Sequence, residues 1–227
     1  MDLATHPATL LLGSAILSHT FALPAWVTAA LAFALLNLKS LPLAYHIRLL
    51  PSLARLYLPR TTTTKPPDLF HTHSARTRVT PLDCDVNLHK SNSTFLADMD
   101  ASRAALLSAL FAPALRALSA SAVLGGVQAS FLRPLAPFAA YEVRSRVVAW
   151  DDAKWVYVGT RFVAPGERET VFAEAVSRYV VKRGRRTVRP GELLGVGGFL
   201  GGGSEEKERL EAARVEGLEG VRRMWFA

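Results

Sequence analysis

An apolar run near the amino end constrains the fold of this chain more than any other feature. Ala15–Leu38 is almost continuously apolar, and no lysine or arginine precedes Lys39. About 20 such residues in a helix cross the hydrocarbon core of a bilayer. The run therefore predicts a membrane-anchor helix, and the apolar stretch Ala8–Leu17 would extend that helix or form the second arm of a hairpin. A buried helical pair of a soluble protein is the alternative, whereas a cleaved signal peptide is disfavoured because the basic amino-terminal region is absent.

The segment after Leu38 combines leucines with positive charge. Its four basic residues are Lys39, Arg48, Arg55 and Arg60. This pattern predicts an amphipathic segment in the headgroup region, with its cations near acidic lipid. Pro42 and Pro51 are expected to divide it into short helical pieces. Because positive charge marks the cytoplasmic side of a membrane, the rest of the chain is expected to face the cytosol.

Changes in composition divide the chain into four predicted parts. Residues 1–60 form the anchor and the amphipathic segment, and residues 61–72 form a linker that contains the proline-stiffened sequence TTTTKPPD. Residues 73–190 form one compact domain. Residues 191–227 contain the glycine-rich sequence GVGGFLGGGS, which predicts a flexible linker, and a last helix from Glu205 to about Arg223.

The order of elements within residues 73–190 indicates the α+β class. A short β segment at Ser74–Asp83 precedes a helix from Asn92 to about Ser119, which Pro113 is expected to break. Four predicted strands follow, at Ala122–Leu132, Ala140–Trp150, Trp155–Ala164 and Thr170–Lys182. Short turns between them predict an antiparallel sheet, with the long helix packed on its apolar face.

The charge and cysteine content restrict the classes of partner and site. The net charge of +8 favours an anionic partner, either a phosphorylated ligand or an acidic membrane surface. The basic run Lys182–Arg186 is the candidate contact, although a solvated strand end is the alternative. Nucleic acid is disfavoured because no nucleic-acid-binding motif accompanies the charge. The single cysteine, Cys84, excludes an internal disulfide, and neither a metal nor a cofactor is expected.

The sequence DCDVNLHKSN, Asp83–Asn92, concentrates polar side chains just before the long helix. A carboxylate in this position can attack a carbonyl group or activate a water molecule. The free N–H groups at the start of the helix can meanwhile polarise the carbonyl oxygen. Asp85 could instead cap the helix, and Asn92 could be its N-cap residue. Cys84 points away from the two acids on an extended chain and is expected to pack inside.

This motif resembles that of a known enzyme family. The pattern D-x-D-x-x-x-H-x-x-N-x-x-F, preceded by RVTPL and followed by a long helix and four strands, is similar to the hotdog-fold thioesterases of the 4-hydroxybenzoyl-CoA thioesterase type. Within them it most resembles the membrane-anchored branch called thioesterase superfamily member six. The segment AWDDAKWVYVGTRFV and the apolar anchor add to the resemblance, which covers about residues 73–190.

The resemblance implies a fold, a reaction and a location. It implies an antiparallel sheet wrapped around a long central helix, in a homodimer. It implies hydrolysis of an acyl-CoA or carrier-bound acyl thioester, in lipid or secondary-metabolite metabolism. It further implies attachment to a membrane, the endoplasmic reticulum, with the domain facing the cytosol.

The resemblance also assigns roles to individual residues. Asp85 takes the position of the catalytic aspartate, and the supporting positions fall on His89, Asn92 and Phe95. The phosphates of coenzyme A would contact Arg183, Arg185 and Arg186, since arginine suits phosphate geometry.

Two residues of the motif depart from the family pattern. Leu88 replaces the glycine that usually precedes the histidine, and Ser91 replaces the first asparagine. A glycine lets the backbone approach a ligand closely. A non-catalytic, membrane-anchored acyl-binding or scaffold protein of the same fold is therefore the alternative function.

Overall fold

The structure, a computed structural model, describes residues 6–21, 23–58, 68–166 and 170–225. Its helices are α1 (Pro7–Phe21), α2 (Ala25–Leu36), α3 (Ala44–Tyr57), α4 (Asn92–Ala117), α5 (Pro190–Val196) and α6 (Ser204–Trp225). Its strands are β1 (His73–Arg78), β2 (Ser121–Phe131), β3 (Ala140–Trp150), β4 (Trp155–Val163), β5 (Val171–Arg183) and β6 (Arg186–Val188). Short 3-10 helices lie at Leu38–Ser40 and Pro81–Asp83.

The strands form one antiparallel sheet in the order β1-β3-β4-β5-β2. Strand β6 pairs with the last residues of β5, beyond the end of β4. Helix α4 contacts β1, β2, β3 and β4, so the curved sheet lies around one long helix. The α+β class and the sheet-wrapped central helix predicted from the sequence are confirmed.

Helix α4 runs without interruption through Pro113, so the predicted break is wrong. Proline removes one backbone donor and normally kinks a helix. Here Pro113 itself is exposed, whereas Phe111, Ala114 and Leu115 on either side of it are buried in the main core. Tertiary burial of these neighbours therefore outweighs the local preference of the proline.

The apolar run of the amino end does not form one long helix. The described residues form α1 and α2 on either side of Leu23-Pro24, and the two helices contact each other. In the described part of the chain, no helix is both long and apolar enough to cross a membrane. The chain therefore forms a helical pair in place of the single anchor helix predicted at Ala15–Leu38. Proline has no backbone N–H and clashes with the preceding helical turn, and Pro24 lies directly before α2 rather than inside a helix.

The amphipathic segment is helix α3, and it packs along α4. The helix continues through Pro51, so the predicted division at that residue is wrong. The guanidinium of Arg116 on α4 donates to the backbone oxygen of Arg55. Helix α3 therefore packs against the domain predicted at residues 73–190.

Residues within the predicted linkers also pack on the core. The predicted linker at 61–72 lies mostly outside the described residues, but Leu69 is buried and Phe70 stacks on Trp150 with ring centroids 6.2 Å apart. Near the carboxyl end, α5 buries Leu193 and Leu194. Phe199, within the glycine-rich sequence, contacts the ring of Phe111. Apolar side chains from the first part of the predicted flexible linker therefore pack on the core.

The last helix is confirmed as predicted and docks on β3. Gly217 faces that strand, and a Cβ atom added there would overlap the Val148 carbonyl oxygen. Gly220, on the same helix, would meet nothing within 4 Å. The two glycines therefore form a matched pair for testing how α6 docks.

We expect Gly217→Ala to lower the free energy of unfolding by about 1–3 kcal/mol, because overpacking forces the helix away from the strand. Gly220→Ala should raise it by about 0.5–1 kcal/mol, since alanine loses less backbone freedom in a helix than glycine does. Thermal and chemical denaturation of the two variants measure both values. Equal effects of the two substitutions would show that α6 does not dock through Gly217.

Candidate active site

The loop Asp83–Ser91, here called the DCD loop, connects the 3-10 helix after β1 to helix α4. Cys84 and Lys90 form an isolated antiparallel bridge at its base. The Ser91 N–H donates to the Asp83 backbone oxygen at 2.8 Å, and the Lys90 N–H donates to the Leu135 oxygen at 2.8 Å. These bonds place a closed hairpin directly before the amino end of the central helix.

Asp85 is held by the backbone of its own hairpin. Its Oδ1 accepts the Asn87 N–H at 2.8 Å, which is an Asx turn. Its backbone N–H donates to the His89 oxygen at 3.0 Å. The N-cap residue of α4 is Ser91, and no side-chain hydrogen bond caps that end. The sequence alternative that Asp85 serves to cap the helix therefore does not describe this geometry.

The Asp85 carboxylate remains accessible, with 31% of its side chain exposed. The nearest ring nitrogen of His89, Nδ1, lies 3.7 Å from Asp85 Oδ1, which is longer than a hydrogen bond. The histidine side chain is itself 38% exposed. The carboxylate and the imidazole thus share the open side of the hairpin.

Leu88 adopts a left-handed backbone conformation, with φ of 56°. That region favours glycine, and a non-glycine residue there costs about 1–2 kcal/mol. The Leu88 N–H donates to the Asp85 oxygen at 3.1 Å, which closes the turn. Leu88 is 74% exposed, so its side chain extends into solvent without a steric clash. The substitution therefore preserves the backbone path that a glycine would allow.

The other predicted supporting residues lie in different environments. Asn92 is exposed and is the first residue of α4 rather than its N-cap. Phe95 is buried one turn later, with its ring 5.3 Å from that of Phe131 and 4.8 Å from that of Phe162. Phe95 thus belongs to the smaller apolar core beneath the loop. Cys84 packs against the same core, in agreement with the prediction that Cys84 packs inside.

A buried polar group beneath the loop was not predicted from the sequence. Asp98 is 3% exposed and accepts hydrogen bonds from Lys90 Nζ at 2.8 Å and from the Tyr141 hydroxyl. Lys90 is 2% exposed, and its Nζ lies 3.7 Å from Asp83 Oδ2. One feature of the sequence could have indicated this buried group. Asp98 lies on the same helical face as the apolar residues Phe95 and Met99.

The charges of nearby lysine side chains keep the buried carboxyl groups of Asp83 and Asp98 ionised. Burial alone would raise the pKa of Asp83 and of Asp98, but the ammonium groups of Lys39 and Lys90 outweigh burial and hold both pKa values below the usual range. Burial lowers the pKa of Lys90, although Asp98 opposes this shift. Burial and then the Asp98 charge raise the pKa of Tyr141. Tyr141 therefore remains a hydrogen-bond donor to Asp98 at neutral pH.

The basic run lies at the other end of the sheet from the DCD loop. Arg183 pairs with Arg186 across the turn between β5 and β6, and these residues and Arg185 are exposed. Ala173, near the opposite end of β5, pairs with Phe131 and Phe162 close to Phe95. Ten residues of strand separate Ala173 from Arg183, about 30 Å at about 3.3 Å per residue. One chain alone therefore does not bring the predicted phosphate contacts to Asp85.

Comparison with known proteins identifies the family to which this chain is similar. The model of the thioesterase-like superfamily matches residues 79–193, which include the whole DCD loop, helix α4 and strands β2 to β6. The thioesterase poxG of Penicillium oxalicum is 32% identical over 229 residues, covering 82% of this chain and 75% of that protein. Protein THEM6 of Xenopus laevis is 38% identical over 99 residues, covering 43% of this chain and 47% of that protein.

Solved structures are also similar to this chain, at lower sequence identity. The probable thioesterase YbaW of Escherichia coli is 16% identical, with a TM-score of 0.48, over 61% of this chain and 98% of that chain. The family assignment rests instead on the superfamily match over residues 79–193 and on the sequence identity with poxG. The chain belongs to the thioesterase-like superfamily and is a thioester hydrolase.

Proposed function

We propose that the chain hydrolyses an acyl-CoA or carrier-bound acyl thioester with Asp85 as the catalytic carboxylate. The carboxylate would attack the thioester carbonyl or activate a water molecule beside it. The amino end of α4 would polarise the carbonyl oxygen, since its first N–H groups have no side-chain cap. The observation that carries this proposal is the accessible Asp85 carboxylate, which the Asn87 N–H fixes in place. Asp85 lies two residues after Asp83, whose backbone oxygen accepts the N–H of Ser91, the N-cap residue of α4.

The backbone at Leu88 supports catalysis over the non-catalytic alternative. That alternative arose because Leu88 replaces the family glycine and Ser91 replaces the first family asparagine. The left-handed conformation of Leu88 keeps the turn closed, and its exposed side chain leaves the Asp85 carboxylate accessible. His89, on the open side of the same hairpin, would contact the substrate, and Phe95 would support the loop from below.

We expect Asp85→Asn to reduce hydrolysis of acyl-CoA substrates by about 10²–10⁴-fold, because the amide can neither attack nor accept a proton. The measurement is steady-state thioester hydrolysis by the full chain, over acyl groups of different length. Asp152→Asn is the matched control, since Asp152 has a 92% exposed side chain far from the loop in sequence. Unchanged hydrolysis by folded Asp85→Asn would contradict the assignment of Asp85.

We further propose that a second copy of the chain pairs through the edge strand β2. This strand has 11 residues, none of them charged, whereas the opposite edge strand β1 carries Arg76 and Arg78. Val123 and Leu124 on β2 are 46% and 42% exposed. A long uncharged edge strand favours pairing with another strand. Antiparallel pairing of two β2 strands would bring the second copy's Lys182–Arg186 turn to the end of the sheet that carries Asp85, where it could contact coenzyme A phosphates.

We expect Arg183→Gln combined with Arg185→Gln to raise KM for acyl-CoA while leaving KM for an S-acyl-pantetheine unchanged. The reason is that the shorter substrate lacks the nucleotide phosphates that the guanidinium groups would bind. Arg146→Gln, at an exposed position on β3, is the control. Leu124→Lys should convert the dimer to monomers in light-scattering measurements and raise KM in the same way. Equal KM changes for both substrates would contradict a phosphate contact.

We propose that the amino-terminal helices attach the enzyme to a membrane, with the domain on the cytosolic side and the endoplasmic reticulum as the organelle. The support is an exposed apolar surface, because Trp26 is 74% exposed and Phe33 is 53% exposed on α2. Further exposed apolar side chains are Leu11, Leu12 and Ile16 on α1 and Ile47, Leu50 and Leu53 on α3. Apolar surface of this extent marks a protein or membrane contact.

Two of the four cations expected to contact lipid, Lys39 and Arg48, have partners within the protein, and Arg60 lies outside the described residues. Arg48 Nη2 lies 2.8 Å from Asp98 Oδ1, and Lys39 Nζ lies 2.6 Å from Asp83 Oδ2. We therefore expect the full chain to float with neutral phosphatidylcholine vesicles and to remain bound when salt is raised, since screening weakens only charge contacts. Trp26→Glu with Phe33→Glu should abolish flotation, and Val215→Glu on α6 should not. Binding that requires acidic lipid and is lost in salt would contradict apolar attachment.

A further inference from the structure

The segment Asn37–Ser40, which follows the amino-terminal helical pair, contacts the DCD loop and the residues just before it. The Asn37 side-chain oxygen accepts the Leu82 N–H at 2.7 Å. The Ser40 hydroxyl donates to Asp83 Oδ1 at 2.8 Å and lies 2.7 Å from the Thr80 hydroxyl oxygen. Asn37 is fully buried, so these are interior contacts.

Lys39 joins this segment to both buried carboxylates. Its Nζ lies 2.6 Å from Asp83 Oδ2 and 3.3 Å from Asp98 Oδ2, and it donates to the Tyr141 hydroxyl at 2.9 Å. The Lys39 side chain is only 14% exposed. A cation removed from water to this extent is stabilised by good geometry with its partners, and deleting it leaves a buried charge uncompensated.

Asp83 transmits this contact to the backbone of the loop. Its Oδ2 accepts the Thr80 N–H at 3.0 Å, which fixes the carboxylate relative to the end of β1. Its backbone oxygen accepts both the Ser91 N–H at 2.8 Å and the Thr94 hydroxyl at 3.1 Å, at the start of α4. One residue thus connects the amino-terminal segment, the base of the hairpin and the amino end of the helix.

Arg48 provides a comparison within the same group of charges. It also comes from the amino-terminal region, but its ion pair is with Asp98 Oδ1, on the side of α4. Lys90 contacts both carboxylates, but it belongs to the loop itself. Of the two amino-terminal cations, Lys39 is therefore the one whose ion pairs include a residue of the DCD loop.

We propose that Asn37–Ser40 positions the catalytic loop, with Lys39 as the positioning residue, so that the membrane-attachment helices and the active site form one mechanical unit. This inference rests on the proposed role of Asp85. Without Lys39, the Asp83 carboxylate keeps Lys90 as its nearest ammonium partner, 3.7 Å away, and the base of the hairpin loosens. A small displacement of a catalytic group can reduce the rate about 10²-fold.

The test uses the full chain in detergent micelles, with Lys39→Met, Lys39→Arg and Arg48→Met compared with the wild type. The first measurement is hydrogen exchange at the Asp85, Leu88 and Ser91 amides, whose hydrogen bonds close the loop. We expect Lys39→Met to accelerate their exchange by about tenfold or more. Lys39→Arg should restore protection, and Arg48→Met should lower the melting temperature without changing exchange at these three amides.

The second measurement is kinetic. We expect Lys39→Met to lower kcat by about 10- to 100-fold with little change in KM, because the loop presents the carboxylate poorly while the substrate still binds. Arg48→Met should keep the wild-type kcat per folded molecule.

Two results overturn the inference. One is equal acceleration of loop exchange in Lys39→Met and Arg48→Met, and the other is a Lys39→Met variant that loses only thermal stability. Failure of the Asp85 assignment appears separately, as full hydrolysis by Asp85→Asn. In that case the exchange measurement still decides whether Lys39 holds the loop.

Discussion

The packing beneath the candidate active site centres on a buried carboxylate, Asp98, on the central helix. A carboxylate that is 3% exposed would be strongly destabilising without partners, and removing one partner of a buried ion pair typically costs about 3–5 kcal/mol. Asp98 is paired with lysine and arginine from three parts of the chain and accepts a hydrogen bond from Tyr141. The requirement to satisfy this charge fixes where the amino-terminal segment, the DCD loop and β3 meet on α4.

The same cations do not contact Asp85, whose carboxylate stays accessible for the proposed chemistry. The loop's inner acid, Asp83, is fully engaged with lysines and backbone groups. The carboxylate of the outer acid, Asp85, accepts one backbone N–H, that of Asn87, and stays accessible. On an extended chain the two acids would lie on the same face. Here Asp83 ends the 3-10 helix and contacts the cations, whereas Asp85 begins the turn of the hairpin, so the two carboxylates lie in different environments.

The sequence predicted the elements of the domain well but not their long-range partners. Strong periodicity located α4 and strands β2 to β5 to within about two residues, because buried apolar faces impose that spacing. Strand β1 ends at Arg78 rather than at the predicted Asp83, and the short strand β6 was not predicted. Local rules failed where burial opposed them, since Pro113 and Pro51 both lie inside continuous helices. They also failed near the carboxyl end, where Leu193, Leu194 and Phe199 pack on the core from a segment that glycine composition suggested was a linker.

The candidate site was predicted in part for a similar reason. A motif with fixed spacing identified Asp85 and its hairpin, because those contacts are local. The family glycine is replaced by Leu88, and only the backbone angle shows that the turn is kept. Lys39 was interpreted as a lipid-facing cation because its partner Asp98 lies 59 residues away. Pattern analysis of one sequence does not detect such a pair.

The most direct test of the account is a crystal structure of the full chain with a non-hydrolysable acyl-CoA analogue, in which a methylene group replaces the thioester sulfur. The account predicts the analogue's carbonyl oxygen within about 3 Å of the first N–H groups of α4. It also predicts the Asp85 carboxylate within about 3–3.5 Å of the carbonyl carbon or of a water molecule beside it. An analogue bound with its carbonyl group away from the DCD loop would contradict the account.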